Sequence, residues 1–244
     1  MKTVIIIPTY NEAKNIKKLT EEVLSLPIAD INILYVDDNS PDGNGEIAED
    51  LSRQYHGKIQ VLHRAGKLGL GSAYIQGFSK AMELGAEAIG QMDADFSHPR
   101  NKLVEMSEAL QECDVVIGSR YVAGGKLDEN WPVWRKALSG WGNFYARTIL
   151  NLPIRDVTGG FKLWRRETLA NMPLERVKSN GYIFQVEMNY IATLLGYKFR
   201  EIPIYFSDRL WGESKMSFKI QYEAAIRTWA LPSRYKDLKK LHRK

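Results

Sequence analysis

The 244-residue chain has one cysteine, Cys113, so no intrachain disulfide can form. A reducing compartment fits this cysteine usage. The sequence also lacks any uncharged apolar run of about 18 to 20 residues, the length that spans a bilayer. Its opening apolar run is too short for a signal peptide. We therefore expect a protein on the cytoplasmic side that is soluble or peripheral to a membrane, without a transmembrane segment.

Several catalytic signatures are missing too. The four histidines have no metal-ligand spacing, and the sequence contains no nucleophile elbow, no H-E-x-x-H motif and no paired cysteines. These absences argue against common hydrolase and zinc-enzyme classes. The formal net charge is +5, which fits either a solvated surface or an anionic partner such as a phosphate or a membrane. The basic residues form no nucleic-acid motif, so no nucleic acid partner is expected.

Short β-branched runs alternate with helical periodicity along the first half of the chain. This alternation predicts βαβ units and a mainly parallel sheet flanked by helices, an α/β fold. The predicted strands are residues 3–7, where Pro8 ends the run, and residues 31–36, 59–62, 88–92 and 115–118. Helices are predicted between them, one at residues 71–83.

The pattern is less regular after about residue 124. Helices are predicted at residues 136–150, 184–195 and 218–229, a strand near 198–203 and a loop at 207–217. No linker is evident, so we expect a single domain at residues 1–229. Residues 230–244 would form a basic tail, since residues 234–244 hold six Lys or Arg against one Asp.

Polar segments follow four of the predicted strands. They are PTYNE at residues 8–12, DDNSPDG at 37–43, DAD at 93–95 and SRY at 119–121. Ligands of such sheets bind beyond the carboxyl ends of the strands. These separate segments should therefore converge on one edge and form a site.

Two carboxylates one residue apart, Asp93 and Asp95, can both reach a hard divalent cation, Mg²⁺ or Mn²⁺. The D-x-D spacing also arises by chance, but its place after an apolar strand favours the functional interpretation. At residues 37–43, Asp37 or Asp38 would bond a ribose, or the segment would simply form a turn; both can hold. Tyr10 would stack near a base.

Other positions carry a weaker signal. Glu12 would either bond a base or cap the helix that follows. The LGLG segment at residues 68–71 lacks a complete phosphate-loop motif, so we interpret it as a tight entry into a helix. The cationic candidates for a phosphate site are Arg120, Arg135, Arg209 and Lys215, with Ser139 as a hydroxyl donor.

Taken in order, these motifs resemble those of family 2 inverting glycosyltransferases. More narrowly, the sequence looks like dolichol-phosphate (polyprenol-phosphate) mannose synthases. The resemblance covers residues 4–215 and adds VDDNSPDG at residues 36–43, GSRY at 118–121, TGGFK at 158–162 and DRLWGESK at 208–215. It implies a GT-A-like nucleotide-sugar-binding fold.

The resemblance also implies roles for individual residues. Pro8, Tyr10, Glu12, Val36 and Asp38 would hold the nucleoside of GDP-mannose. Asp93 and Asp95 would bind the metal, with Ala94 lining the diphosphate. Arg209 and Lys215 would contact the donor phosphates, and Arg120, Arg135 and Ser139 the acceptor phosphate. Asp95, Arg120 and Arg209 would be the catalytic residues. Some relatives have Gln where this chain has Ser97, which is a weaker metal ligand.

The implied reaction transfers mannose from GDP-mannose to dolichyl or polyprenyl phosphate with inversion. An alternative keeps the fold and uses UDP-glucose. A lipid monophosphate is already anionic at neutral pH, so no strong catalytic base is expected. The chain looks like the catalytic-domain-only type, which would reach the membrane surface through the lipid acceptor, the basic tail or a small membrane partner protein.

Overall fold

A computed structural model describes residues 1–208 and 218–238, without the side chains of residues 218–225. A seven-stranded, mainly parallel sheet has the order β3-β2-β1-β4-β7-β5-β8. Its strands are β1 (Lys2–Thr9), β2 (Asp30–Asp37), β3 (Ile59–His63), β4 (Ala88–Gln91), β5 (Val115–Ser119), β7 (Lys162–Arg165) and β8 (Phe199–Pro203). The helices are α1 (Ala13–Leu24), α2 (Asn44–Gln54), α3 (Leu70–Glu83), α4 (Lys102–Ala109), α5 (Val133–Leu150), α6 (Arg166–Ala170), α7 (Tyr182–Leu194) and α8 (Phe218–Arg234).

The sheet is covered by helices on both faces because its central strands are apolar on both sides. Ile6 and Leu34 face a cluster that includes Phe78 of α3 and residues of α7. Ile5 and Ile33, one residue earlier, face the opposite cluster, with residues of α1, α2 and α4. Alternate side chains of a strand point to opposite faces. The predicted α/β fold and single domain are confirmed.

The prediction that Pro8 ends the first strand is wrong. β1 continues to Thr9, and Pro8 pairs with Val36 of β2. On its other side, β1 pairs with β4 only from Thr3 to Ile6. Proline lacks a backbone N–H and is tolerated where a ladder bond is not required, as on the side of β1 where β4 has ended.

The strand β7 was not predicted. It lies between β4 and β5 and runs antiparallel to both. A second small sheet pairs β6 (Lys126–Leu127) with β9 (Tyr205–Phe206). β9 lies just before residues 207–208, so this pairing fixes the chain where it approaches the predicted site. Most of the predicted loop at residues 207–217 lies outside the described residues.

The last described helix, α8, continues beyond the predicted end at residue 229. Leu231, Tyr235 and Leu238 are buried and belong to the core. The division into a domain at residues 1–229 and a tail at 230–244 stays a prediction, although the described residues pack on the core as far as Leu238. Within the part of the chain that the structure describes, no helix is both long and apolar enough to cross a membrane.

Candidate active site

The turn after β2 is organised around Asp37. Its Oδ1 accepts hydrogen bonds from Asn44 Nδ2 at 2.7 Å, Ser40 Oγ at 2.7 Å and Thr9 Oγ1 at 3.3 Å. Asp37 is also buried. This segment was predicted to bind a ribose, to form a turn, or both. Asp37 stabilises the turn, because its carboxylate accepts hydrogen bonds from neighbouring donors.

Asp38 lies at the site edge and forms an ion pair with Arg64, whose side chain is almost fully buried. Arg64 Nη2 also donates to Ser72 Oγ at 2.5 Å, at the start of α3. Burial raises the pKa of Asp38 although Arg64 opposes the shift. Arg64 thereby connects the ends of β2 and β3 to α3. The predicted contact of Asp38 with a nucleoside stays a prediction.

Tyr10 and Glu12 follow β1 on the same edge. Lys67 Nζ lies 4.1 Å from the centre of the Tyr10 ring. Glu12 Oε2 accepts from Asn15 Nδ2 at 2.7 Å, but no side chain caps α1 at Glu12. The first α1 amide, Ala13 N, instead donates to Asp42 Oδ2 at 2.9 Å. The β2 turn therefore holds the start of α1 in place.

The Gly-rich segment before α3 forms a tight helix entry, as predicted. α3 begins at Leu70, and Gly69 has φ +98°, a region that favours glycine. A Cβ at Gly71 would lie 2.2 Å from the Ser179 carbonyl oxygen. The glycines thus allow the chain around Ser179 to pack directly on the start of α3.

The Asp93–Asp95 segment forms a tight turn after β4. Asp93 N donates to His98 Nδ1 at 3.0 Å, and Ser97 N donates to Asp95 Oδ1 at 3.0 Å. Tyr74 OH lies 3.5 Å from Asp93 Oδ1. The pKa of Tyr74 is raised mainly by burial and to a smaller extent by the negative charge of Asp93. Asp93 is partly exposed, so its carboxylate can reach a ligand beyond the strand end.

These residues fit a hard divalent cation. Both carboxylates would offer oxygen ligands, and the buried Ser97 Oγ has no hydrogen-bond partner among the described residues. His98 does not fit as a ligand. Burial lowers its pKa, and because Nδ1 accepts from Asp93 N, the neutral ring carries its proton on Nε2. Within the described residues, no group of three or more His, Cys, Asp or Glu side chains is placed to hold a metal ion.

Arg120, at the end of β5, forms a buried two-pronged ion pair with Asp156. Nε and Nη2 donate to the carboxylate at 2.7 Å and 2.6 Å. Nη2 also donates to Thr158 Oγ1 at 2.8 Å. Burial would raise the pKa of Asp156, but Arg120 holds it below its ordinary value. Within the described residues, these hydrogen bonds leave Nη1 of Arg120 for a ligand.

A cavity of about 340 Å³ opens beside these residues. Its lining includes the polar side chains of Asp93, Arg120, Arg135 and Ser139. It also includes apolar side chains from α5 and α7, namely Leu138, Trp141, Ala146, Ile183 and Val186. The structure therefore brings a predicted metal ligand and all three predicted acceptor-phosphate residues into one cavity.

Arg135 and Ser139 lie one turn apart on α5. The Arg135 guanidinium stacks 3.5 Å from the centre of the Trp131 ring and pairs with Asp208 at 3.3 Å. Ser139 Oγ lies 2.7 Å from Tyr121 OH. Both side chains are held towards the cavity. A second cavity, of about 500 Å³ beside Cys113, contains no predicted site residue.

Residues 4–172 match the model of the family described as glycosyl transferase family 2, which is more than half of the chain. The chain belongs to glycosyl transferase family 2. It is 42% identical to an undecaprenyl-phosphate mannosyltransferase of Micrococcus luteus, over 98% of both chains. It is 39% identical to a polyprenol monophosphomannose synthase of Mycolicibacterium smegmatis, over 96% of this chain and 88% of that one. The predicted polyprenyl-phosphate mannose synthase type is confirmed.

Solved structures confirm the GT-A-like fold of this family 2 glycosyltransferase. Mannosyl-3-phosphoglycerate synthase from Rubrobacter xylanophilus superposes with a TM-score of 0.67 at 17% identity, over 97% of this chain and 75% of that one. Glucosyl-3-phosphoglycerate synthase from Mycobacterium tuberculosis, in complex with Mn²⁺, UDP and its product, gives 0.63 at 14% identity, over 96% and 79%.

Several features of this family 2 site were not predicted. Arg64, His98 and Asp156 hold predicted residues in place, and Gln185 lines the cavity. The sequence signal for two of these residues was their position, because His98 lies just after the DAD motif and Asp156 lies just before the TGG motif. Arg209 and Lys215, predicted to bind donor phosphates, lie outside the described residues.

Proposed function

We propose that this glycosyltransferase transfers mannose from GDP-mannose to a polyprenyl phosphate, with inversion at the anomeric carbon. The observation that supports this most is the mixed lining of one cavity. Arg120 and Arg135 line it together with Asp93, and so do the apolar side chains of Trp141 and Ile183. An acceptor with an anionic head and an apolar chain matches this lining, since guanidinium groups suit phosphate and apolar side chains suit hydrocarbon.

The acceptor phosphate would itself be the nucleophile. Its second pKa is about 6, so it is largely a dianion at neutral pH and needs no base to remove a proton. Arg120, Arg135 and Ser139 would orient one phosphate oxygen towards the anomeric carbon. Alignment of the two reacting atoms is a large part of the acceleration that such a site can supply.

Asp93 and Asp95 would hold Mg²⁺ or Mn²⁺. When bound, the cation would neutralise the negative charge that develops on the departing diphosphate. Ala94 would line that diphosphate, and Pro8, Tyr10, Glu12, Val36 and Asp38 would hold the nucleoside at the ends of β1 and β2. Arg209 and Lys215 would bind the donor phosphates.

Donor identity is tested by presenting the purified protein with labelled GDP-mannose or labelled UDP-glucose, together with polyprenyl phosphate and Mg²⁺. We expect label in the organic phase from GDP-mannose only, and none when EDTA replaces Mg²⁺. Transfer from UDP-glucose but not from GDP-mannose would overturn the proposed donor. Transfer in EDTA would overturn the metal dependence.

We also propose that α5 and α8 face a membrane surface. Trp134, Trp141 and Phe144 recur at helical spacing on α5 and are more than half exposed. Trp229 of α8 is equally exposed, and its Nε1 donates to Tyr145 OH of α5 at 2.5 Å. Exposed aromatic side chains of this kind suit a bilayer interface. Both helices contribute to the cavity lining, with Trp141 from α5 and Thr228 from α8, so a lipid chain would enter from this surface.

Liposome co-sedimentation tests this surface. The double variant Trp134→Ser plus Phe144→Ser should lose most of its binding to vesicles that contain anionic lipid, because neither side chain lines the cavity and both are exposed. Leu68→Ser, which removes an exposed apolar side chain from the chain segment before α3, is the matched control and should bind like the wild type. Equal sedimentation of the double variant and the control would discard the proposal.

A further inference from the structure

Lys162 is a fully buried lysine in the core that nothing in the proposed mechanism uses. Its Nζ donates to Gln185 Oε1 at 2.7 Å and lies 3.4 Å from the Gln185 backbone oxygen. Burial lowers its pKa to about 7, with Asp156 opposing the shift and Arg120 adding to it. A buried amine carries a solvation cost, so its contact with Gln185 invites a functional explanation.

The lysine fixes the orientation of the Gln185 side chain. Because Lys162 Nζ donates to Gln185 Oε1, the amide turns its oxygen towards Lys162. Its Nε2, on the other branch of the amide, is then directed away from Lys162. A Cβ at Gly160 would lie 3.5 Å from Gln185 Nε2 and 3.8 Å from His98 Cε1. Glycine therefore leaves open the space in front of the amide.

The amide group faces the cavity. Gln185 and Gly160 both line it, together with Asp93, His98 and Arg120. Within the described residues, Gln185 Nε2 donates no hydrogen bond, whereas its Oε1 is held by Lys162. The same helix, α7, supplies the apolar side chains of Ile183 and Val186 to the lining. A lipid chain on these side chains would place its phosphate near the amide.

We propose that Gln185 binds a phosphate oxygen of the lipid acceptor through Nε2 and that Lys162 is the positioning residue that holds it there. This inference rests on the proposed function. The guanidinium of Arg120, which lines the same cavity as Gln185, favours an anionic oxygen over a hydroxyl. Gln185 would thus add a neutral donor to the predicted set of Arg120, Arg135 and Ser139.

Gln185→Glu separates a phosphate contact from a sugar contact. The substitution keeps the shape and keeps an oxygen for Lys162, but it turns a carboxylate oxygen towards the ligand. A phosphate would be repelled, whereas a sugar hydroxyl would donate to the carboxylate. We expect the KM for polyprenyl phosphate to rise at least about tenfold and the KM for GDP-mannose to stay within about twofold. Gln54→Glu, the same change on an exposed position of α2, is the matched control and should leave both unchanged.

Lys162→Met tests the positioning role. We expect a smaller rise in the acceptor KM, because Gln185 remains but its amide can rotate. In a Gln185→Ala background, Lys162→Met should cause no further rise, since a positioning residue acts only through the residue it positions. Additive rises would overturn the positioning role. An acceptor KM within about twofold of wild type in both folded Gln185 variants would overturn the contact, as would a rise confined to the donor KM.

A binding measurement distinguishes this inference from the proposed function. Trp131 and Trp141 line the cavity, so their fluorescence can report binding of farnesyl phosphate without turnover. We expect Gln185→Glu to weaken farnesyl phosphate at least about tenfold and to leave farnesol unchanged. If the wild type transfers no sugar to polyprenyl phosphate, the proposed function fails by itself. Equal affinity of wild type and variant for farnesyl phosphate would refute the inference even where the wild type is active.

Discussion

Asp156→Asn should damage both the stability and the acceptor site, because Asp156 is the counter-ion of a buried arginine. Asp156 is fully buried and accepts from Arg120 N, Nε and Nη2 and from Gly159 N. Asparagine removes the charge and places an NH₂ group against one of these donors. Breaking a buried ion pair by removing one partner costs about 3–5 kcal/mol. We expect a loss of that size in the free energy of unfolding.

Urea denaturation of wild type and variant measures this loss. Asp156 has a lowered pKa, so its contribution is complete above its unfolded value of about 3.9 and is lost as the pH falls through the lower folded value. The comparison belongs at about pH 8, where this contribution is complete, because at lower pH the loss of Asp156 also changes the titration of Lys162, whose pKa Asp156 helps to raise. Adding Arg120→Met to Asp156→Leu should recover much of the stability but no activity, because both charges are then absent. Asp237→Asn, which breaks an exposed pair with Arg176, should have a much smaller effect. A loss under about 1 kcal/mol for Asp156→Asn at that pH would refute the reasoning.

Three further predictions follow from the described geometry. Asp95→Asn should lower kcat roughly 10²- to 10³-fold in steady-state assays with Mg²⁺, while its urea midpoint stays close to that of the wild type; unchanged kcat would contradict the metal assignment. Gly71→Ala should destabilise the protein by about 1–3 kcal/mol, because its Cβ would meet the Ser179 carbonyl oxygen. A Cβ at Gly140 on α5 would have nothing within 4 Å, so Gly140→Ala should instead stabilise the protein by about 0.5–1 kcal/mol. Urea denaturation measures both changes, and a change in stability of the same sign for the two variants would contradict the packing argument. Because burial lowers the pKa of Lys162 to about 7, the unfolded chain binds more protons above that pH. Wild-type stability should then rise with pH from about 7 to about 10, and Lys162→Met should flatten that part of the urea-midpoint profile; parallel profiles would contradict it.

The alternating half of the fold was predictable because each strand is a separate apolar run with a helix after it. Strands β1 to β5 and helix α3 lie within a few residues of their predicted bounds. β7 escaped prediction because it is four residues long and includes Lys162, which is polar in the sequence and buried in the fold. Pro8 misled the assignment because proline usually interrupts a strand, and the sequence does not show where a neighbouring strand ends.

The location of the site was predictable from the sequence, whereas most of the contacts within it were not. The edge of a parallel sheet gathers the polar segments that follow its strands, and Asp93 and Arg120 indeed line one cavity. The sequence does not show that Arg120 is held by Asp156, 36 residues later. Nor does it show that Lys162 orients Gln185. Such pairings depend on tertiary packing, because a single sequence does not show which side chains lie close together in the fold.

The central claim is that a lipid phosphate is the nucleophile. It is tested most directly by supplying GDP-mannose with polyprenyl phosphate that carries an isotopic label on every non-bridging phosphate oxygen. The lipid product is then weighed by mass spectrometry, and its anomeric configuration is determined by NMR. The account predicts a β-mannosyl lipid phosphate that retains every labelled oxygen. Loss of one labelled oxygen, or an α-linked product, would contradict it.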